Sequence, residues 1–167
     1  EKEVARTDYL TGIANRRFFF KLTNIEIKRS RRYKTPFTFV YLDLDNFKTI
    51  NDCLGHHTGD TLLRTVAHTI KKNIRSTDFA ARLGGDEFAI LLTGTEATSA
   101  HVVIQKLQSE LLHVMRQNKW PVTFSIGILT LNGASTTIDE VMKKADILMY
   151  SAKQNGKNMI KKEAIND

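Results

Sequence analysis

Cysteine is almost missing from this chain of 167 residues: Cys53 is the single one. No intrachain disulfide can therefore form, a reducing compartment suits the composition, and the lone thiol reads as incidental rather than catalytic. No apolar run approaches the roughly 18 residues needed to cross a bilayer. The first residues, Glu1-Lys2-Glu3-Val4-Ala5-Arg6, carry no secretory pattern. Internal repeats and low-complexity stretches are missing too. Neither Gly-x-x-x-x-Gly-Lys-Ser/Thr nor Gly-x-Gly-x-x-Gly occurs, which removes the P-loop and the dinucleotide fingerprint. Adjacent His56 and His57 lack a cysteine or third histidine at zinc spacing, and His57 reads as a surface-loop residue.

What is present fits one globular domain: 41% of residues are hydrophobic, enough for an adequate core at this length. The formal net charge is +7, much of it in Lys28-Arg29-Ser30-Arg31-Arg32-Tyr33-Lys34. A nucleic-acid surface would need exposed aromatics or a recognition helix beside such a cluster. Steering of a polyanionic small molecule such as a nucleoside triphosphate is a second reading. The solvated end of a helix is the third and is preferred, although composition alone does not decide.

In chain order, residues 1 to about 7 are expected to be the end of a helix arriving from an upstream region. Asp8 to Arg17 is turn-rich, with Asn15 placed to cap a helix that runs to about Arg32. Pro36 separates it from a strand at Phe37 to Asp43. A short helix from about Phe47 to Cys53 is followed by a loop, Leu54 to Gly59. Asp60 opens a longer helix, with Leu62, Leu63, Val66, Ile70 and Ile74 at helical spacing. Phe79-Ala80-Ala81 and Ala89-Ile90-Leu91-Leu92 flank Gly84-Gly85 and read as a hairpin, because tight turns need the positive φ that glycine supplies. A helix over about Ala97–Arg116, a strand from Pro121 to Ile128, and a helix from Thr137 to about Asn155 follow. Thr137-Ile138-Asp139-Glu140 is a capping box, and Gly156 is a terminating glycine. A last short strand lies near Met159 to Lys161. The alternation predicts helices packed on a central sheet with at least one antiparallel pair.

Two acidic stretches fall at strand ends: Asp43-Leu44-Asp45-Asn46, and Asp86-Glu87 at the hairpin. An EF-hand is excluded, since its sixth loop position would be Lys48 rather than glycine and its twelfth Leu54 rather than glutamate. If Asp43 and Asp86 converge, they repel each other unless a divalent cation lies between them. Hard oxygen ligands favour Mg²⁺ or Mn²⁺ shared with substrate phosphates. A metal so placed lowers the pKa of an attacking hydroxyl and neutralises a leaving pyrophosphate.

Five ordered motifs together resemble the GGDEF domain of diguanylate cyclases. They are Asp8 to Arg17, Asp43 to Asp52, Gly55-His56-His57-Thr58-Gly59-Asp60, the signature Gly84-Gly85-Asp86-Glu87-Phe88, and Ala145-Asp146 with Tyr150 to Lys153 and Gly156-Lys157-Asn158. The resemblance covers nearly the whole chain, with a domain over 8–163 and a tail over 164–167. It implies an α/β fold with a central mixed, mainly antiparallel sheet flanked by helices, of the nucleotidyl-cyclase palm type.

It further implies condensation of two GTP molecules into cyclic di-GMP across a homodimer. Asp86 and Lys48 are the implied catalytic residues. Asp43, the Leu44 backbone carbonyl, Asp86 and Glu87 would hold two Mg²⁺ or Mn²⁺ ions per active site. Asn46, Phe47, Lys48, Asn51, His56, Asp60, Lys153 and Lys157 would bind substrate, with Asn51 and Asp60 on the guanine edge. Lys153 and Lys157, four apart, are expected on one helix face and on the triphosphate. The family more often has arginine where Lys157 stands, which keeps charge but loses bidentate grip. Arg75 and Asp78 match an inhibitory product site, beside the plainer reading of a local ion pair. Phe47 as core, Lys48 as a surface lysine and Glu87 as turn support remain the plain readings. The implied setting is a cytoplasmic catalytic domain, in a parent that can be membrane-attached, under an upstream sensory or regulatory domain and without nucleic acid. The alternative is a non-catalytic signalling module that binds GTP or cyclic di-GMP.

Overall fold

The computed structural model describes residues 5–167. Residues 1–4 of the expected N-terminal helix lie outside the described residues, and 5–7 are not helical; Thr7 makes an isolated bridge to Ala14. The described elements are β1 (Ala14–Asn15), α1 (Arg16–Tyr33), β2 (Pro36–Asp45), α2 (Phe47–Leu54), α3 (His56–Lys72), β3 (Phe79–Gly84), β4 (Glu87–Leu92), α4 (Ala97–Gln117), β5 (Thr123–Asn132), α5 (Ile138–Gln154) and β6 (Ile160–Asn166).

The strands form a mixed sheet in the order β1-β3-β4-β2-β5-β6. The three pairings at its centre are antiparallel, and those at the edges, β1 with β3 and β5 with β6, are parallel. Strand alternation gives each face its own core. Val40, Leu42 and Leu44 of β2, with Phe88 and Ile90 of β4, pack under Leu62 and Val66 of α3 and Ile104 and Leu107 of α4. Phe39 and Tyr41 of β2, with Leu91 of β4, pack under Phe19 and Ile27 of α1 and Val141, Ala145 and Met149 of α5. Asp43, Asp45 and Glu87 continue that second face to the ends of their strands.

Local sequence explains most boundaries. The Asn15 side chain accepts from the Phe18 amide and opens α1. The Thr137 hydroxyl accepts from the Glu140 amide at 3.2 Å, but Thr136, not the Thr137 amide, donates to Glu140, so only half of the expected capping box forms. The loop expected over 54–59 is largely helix. Gly55, at φ +90°, breaks α2 from α3, and α3 then begins at His56 rather than Asp60. A Cβ on Gly59 would lie 1.9 Å from Asn51 Oδ1, so a bare glycine lets the first turn of α3 sit against α2. The hairpin turn is Gly85-Asp86 rather than Gly84-Gly85, because Gly84 still pairs with Glu87 across a register irregularity. β5 runs four residues past the expected end, and β6 extends through Asn166, taking in most of the expected tail.

Candidate active site

β2 and β4 run side by side with Asp43 opposite Glu87, and on the other flank Asp43 faces Ser125 of β5. The Leu44 amide donates to the Asp86 backbone carbonyl at 3.2 Å, which ties the hairpin turn to the end of β2. Arg82 fixes the turn from the other side. Its Nε donates to the Gly85 carbonyl at 2.9 Å, and its guanidinium lies 3.4 Å from Asp8. Asp8 in turn accepts from the Thr11 amide and hydroxyl at 3.0 and 2.7 Å. These contacts bring Asp43, Leu44, Asp86 and Glu87 to one end of the sheet.

The electrostatics of this corner are strained. Burial, and then the neighbouring Asp86 charge, push the Asp43 carboxyl up to about 7, against the pull of Lys153. Burial also raises Glu87, opposed by the Tyr41 hydroxyl beside it, while Asp86 adds to the rise. Asp43 Oδ1 is buried and has no hydrogen-bond partner among the described residues. Buried polar atoms are almost always paired, so the orphan oxygen fits a bound cation. Among the described residues no three His, Cys, Asp or Glu side chains cluster closely enough to hold one by themselves, so substrate phosphates would have to complete its shell. The donor set is hard oxygen throughout, as Mg²⁺ or Mn²⁺ requires.

Lys153 reaches this corner from α5. Its Nζ lies 3.2 Å from Asp43 Oδ2, 2.8 Å from Asp45 Oδ1 and 3.4 Å from the Leu44 carbonyl. Asp45 is fully buried and accepts from Thr123 Oγ1 (2.7 Å), Ser125 Oγ (2.8 Å) and the Asn158 amide (3.1 Å). Burial works to raise the Asp45 pKa, but the hydrogen bonds from Lys153, Thr123 and Ser125 outweigh it and hold the group below its usual range. Lys153 is placed by Gly127 of β5, where an added Cβ would meet the Ala145 carbonyl oxygen and the Met149 amide at 2.6 Å each. The helix can lie this close only because that residue has no side chain.

Asp45, Arg82 and Gly127 were not expected as site residues. The period of two in β2 places Asp45 on the face of Asp43, so that signal was available. The hydroxyl cradle and the α5 approach depend on which strands become neighbours, and spacing alone does not show this.

The other expected residues fall into two groups. Asn46, at φ +69°, turns the chain into α2 without a side-chain cap; Phe47 is buried core, while Lys48 is exposed one residue on. Asn51 lies against Gly59, next to Asp60, and His56 stands one helical turn before Asp60. Lys157 departs from expectation. α5 ends at Gln154, and Gly156 and Lys157 adopt φ +119° and +64°, so Lys157 lies in the following turn and shares no helix face with Lys153.

Arg75 and Asp78 lie at the far end of β4, five residues or ~17 Å along the strand from Glu87. Arg75 Nε and Nη2 donate to the two Asp78 oxygens at 3.1 and 2.9 Å, and Nη2 also reaches the Thr93 carbonyl and Thr95 hydroxyl. The local ion pair is therefore formed. Arg75 also borders cavities of about 520 and 250 Å³ on either side. No described helix is long and apolar enough to cross a membrane.

Comparison with known proteins agrees with this geometry. Residues 5–159 match the family described as "Diguanylate cyclase, GGDEF domain". The probable diguanylate cyclase DgcT of Escherichia coli is 33% identical over 95% of this chain, and the bifunctional cyclase and phosphodiesterase MucR of Pseudomonas aeruginosa is 37% identical over 93%. The chain spans only 36% and 23% of those two proteins. The crystal structure of the GGDEF domain of DgcB from Caulobacter crescentus, in complex with c-di-GMP, superposes with a TM-score of 0.86 at 29% identity, covering 97% of this chain and 98% of that one. The chain belongs to the GGDEF domain family of diguanylate cyclases.

Proposed function

We propose that this domain condenses two GTP molecules into cyclic di-GMP and releases two pyrophosphates. The observation that carries the reading is the buried, unpartnered Asp43 Oδ1 at the end of β2, with Glu87 opposite it and the Asp86 turn tied to the next residue.

Asp43, the Leu44 carbonyl and Asp86, with Glu87 beside them, would hold the divalent cations. The chemistry such ions would supply is charge neutralisation at the phosphates and a lower pKa for the attacking hydroxyl. Asp86 stands on the turn and accepts the proton of the 3′-hydroxyl as that oxygen attacks the α-phosphate of the other GTP. The free amides at the start of α2, with Lys48, receive the β- and γ-phosphates. Lys153 and Lys157 approach the same phosphates from the end of α5 and the turn after it. Asn51 and Asp60 read the guanine edge, the amide donating to O6 and the carboxylate accepting from N1 and N2, with His56 nearby. Each half-reaction needs a nucleotide from a facing copy, so the active form is a homodimer.

Arg75 and Asp78 form the product site. In the absence of product the guanidinium is held by Asp78, Thr93 and Thr95; cyclic di-GMP offers it a phosphate or a guanine face instead. An upstream regulatory domain and a cytoplasmic position complete the reading.

The test is pyrophosphate release from GTP and Mg²⁺ against protein concentration. A dimeric mechanism gives a specific rate that rises with concentration and then saturates. A specific rate independent of concentration down to nanomolar protein contradicts catalysis between two copies.

A further inference from the structure

Lys153 holds oxygens that a bound cation would share. The three oxygens around its Nζ are Asp45 Oδ1, Asp43 Oδ2 and the Leu44 carbonyl, at 2.8, 3.2 and 3.4 Å. The last two belong to groups assigned above to the metal. An ammonium and a divalent ion repel each other, and Lys153 already takes Asp43 Oδ2 and the Leu44 carbonyl, leaving only Asp43 Oδ1 unpartnered. A metal that uses those two oxygens therefore has to displace the lysine. The lysine also has a firm anchor, because Asp45 is buried and locked by Thr123, Ser125 and the Asn158 amide. Asp45 can reach no metal without leaving that cradle, so its role is to hold the lysine.

Resting on the metal-dependent reading above, we propose that Lys153 is a built-in counter-cation that competes with the metal for Asp43 and the Leu44 carbonyl, and that the incoming triphosphate draws it away. The α5 backbone is fixed over Gly127, so the exchange needs only a rotation of the lysine side chain. Metal and nucleotide then bind with positive coupling. Each removes a cost the other would face alone, because the triphosphate gives the displaced ammonium a new anionic partner. Without nucleotide the free metal ion is kept off the carboxylates, and the site neither traps metal nor leaves its anions unpaired.

The experiment is Mn²⁺ binding to the whole chain, followed by the electron paramagnetic resonance signal of free Mn²⁺. Wild type, Lys153→Gln and Asp45→Asn/Lys153→Gln are compared with and without GTP carrying a methylene between its α and β phosphorus atoms. Without nucleotide, both variants should bind Mn²⁺ about tenfold more tightly than wild type, a difference of ~1.4 kcal/mol. The double variant removes one cation and one anion together. A gain there reports freed ligands rather than altered charge, and the fully buried Asp45 carboxylate is not left behind without its lysine. The analogue should tighten Mn²⁺ binding more in wild type than in either variant. Mn²⁺ affinity no tighter than wild type in both variants overturns the role given to Lys153. Wild type that takes up no Mn²⁺ even with the analogue overturns the metal reading itself, so the two failures are distinguishable.

Discussion

Replacing Asp43 by asparagine should stabilise this protein, although it should abolish turnover. An isolated aspartate titrates near 4, and at ~1.4 kcal/mol per tenfold change a pKa of about 7 sets roughly 4 kcal/mol against the ionised form. The side chain keeps 16% exposure, so water screens part of this, and about 2 kcal/mol is the expected net effect. The sign follows from proton binding. Between pH ~4 and ~7 the folded state holds a proton on Asp43 that the unfolded chain has lost, so stability falls as pH rises through that window. Below it both states are protonated and the penalty vanishes; above it the penalty is complete. Asparagine removes the titration. In chelator, without nucleotide, Asp43→Asn should melt roughly 4–8 °C above wild type at pH 8, using about 2–4 °C per kcal/mol for a domain of this size. At pH 5 about a third of the difference should remain. Thermal denaturation followed by circular dichroism across pH 4.5–8.5 measures this. A variant less stable than wild type at pH 8, or a gap that does not change with pH, refutes the reasoning.

Other substitutions probe the supports of the site. Gly127→Ala drives a Cβ into two backbone atoms of α5, so the helix must shift; a loss of ~1–3 kcal/mol in stability, seen by urea denaturation, should accompany a fall in turnover. Gly59→Ala displaces the Asn51 side-chain amide and presses only slightly on Phe47 Cζ at 3.3 Å, so melting should change little. GTP affinity by calorimetry should weaken by ~1–3 kcal/mol through the lost guanine contact. Arg75→Ala should lose inhibition by cyclic di-GMP in a steady-state pyrophosphate assay, and unchanged inhibition would contradict the product site.

Where side-chain chemistry acts locally, the sequence was enough. Asn15 capped its helix, the run from Phe37 to Asp43 formed a strand, and the acidic stretches at the two strand ends became neighbours. Where the outcome rests on which backbone approaches which, it was not. Gly59 and Gly127 look like any glycines until a neighbouring helix is brought within 3 Å of the missing Cβ. Gly55 and Gly59 read as loop residues, yet one breaks two helices and the other lies within the second. Helical spacing put Lys153 and Lys157 together, but the left-handed turn at Gly156 and Lys157 parts them. Asp45 was in view beside Asp43; the two β5 hydroxyls that make it an anchor lie 78 and 80 residues away.

The most direct test of the central claim is the identity of the product. The purified chain at high concentration, incubated with GTP and Mg²⁺ beside Asp86→Ala, is analysed by chromatography and mass spectrometry. The account predicts cyclic di-GMP from the parent chain and none from the variant. A parent chain that dimerises and binds GTP saturably yet yields no cyclic dinucleotide contradicts the enzyme reading and leaves a nucleotide-binding signalling module in its place.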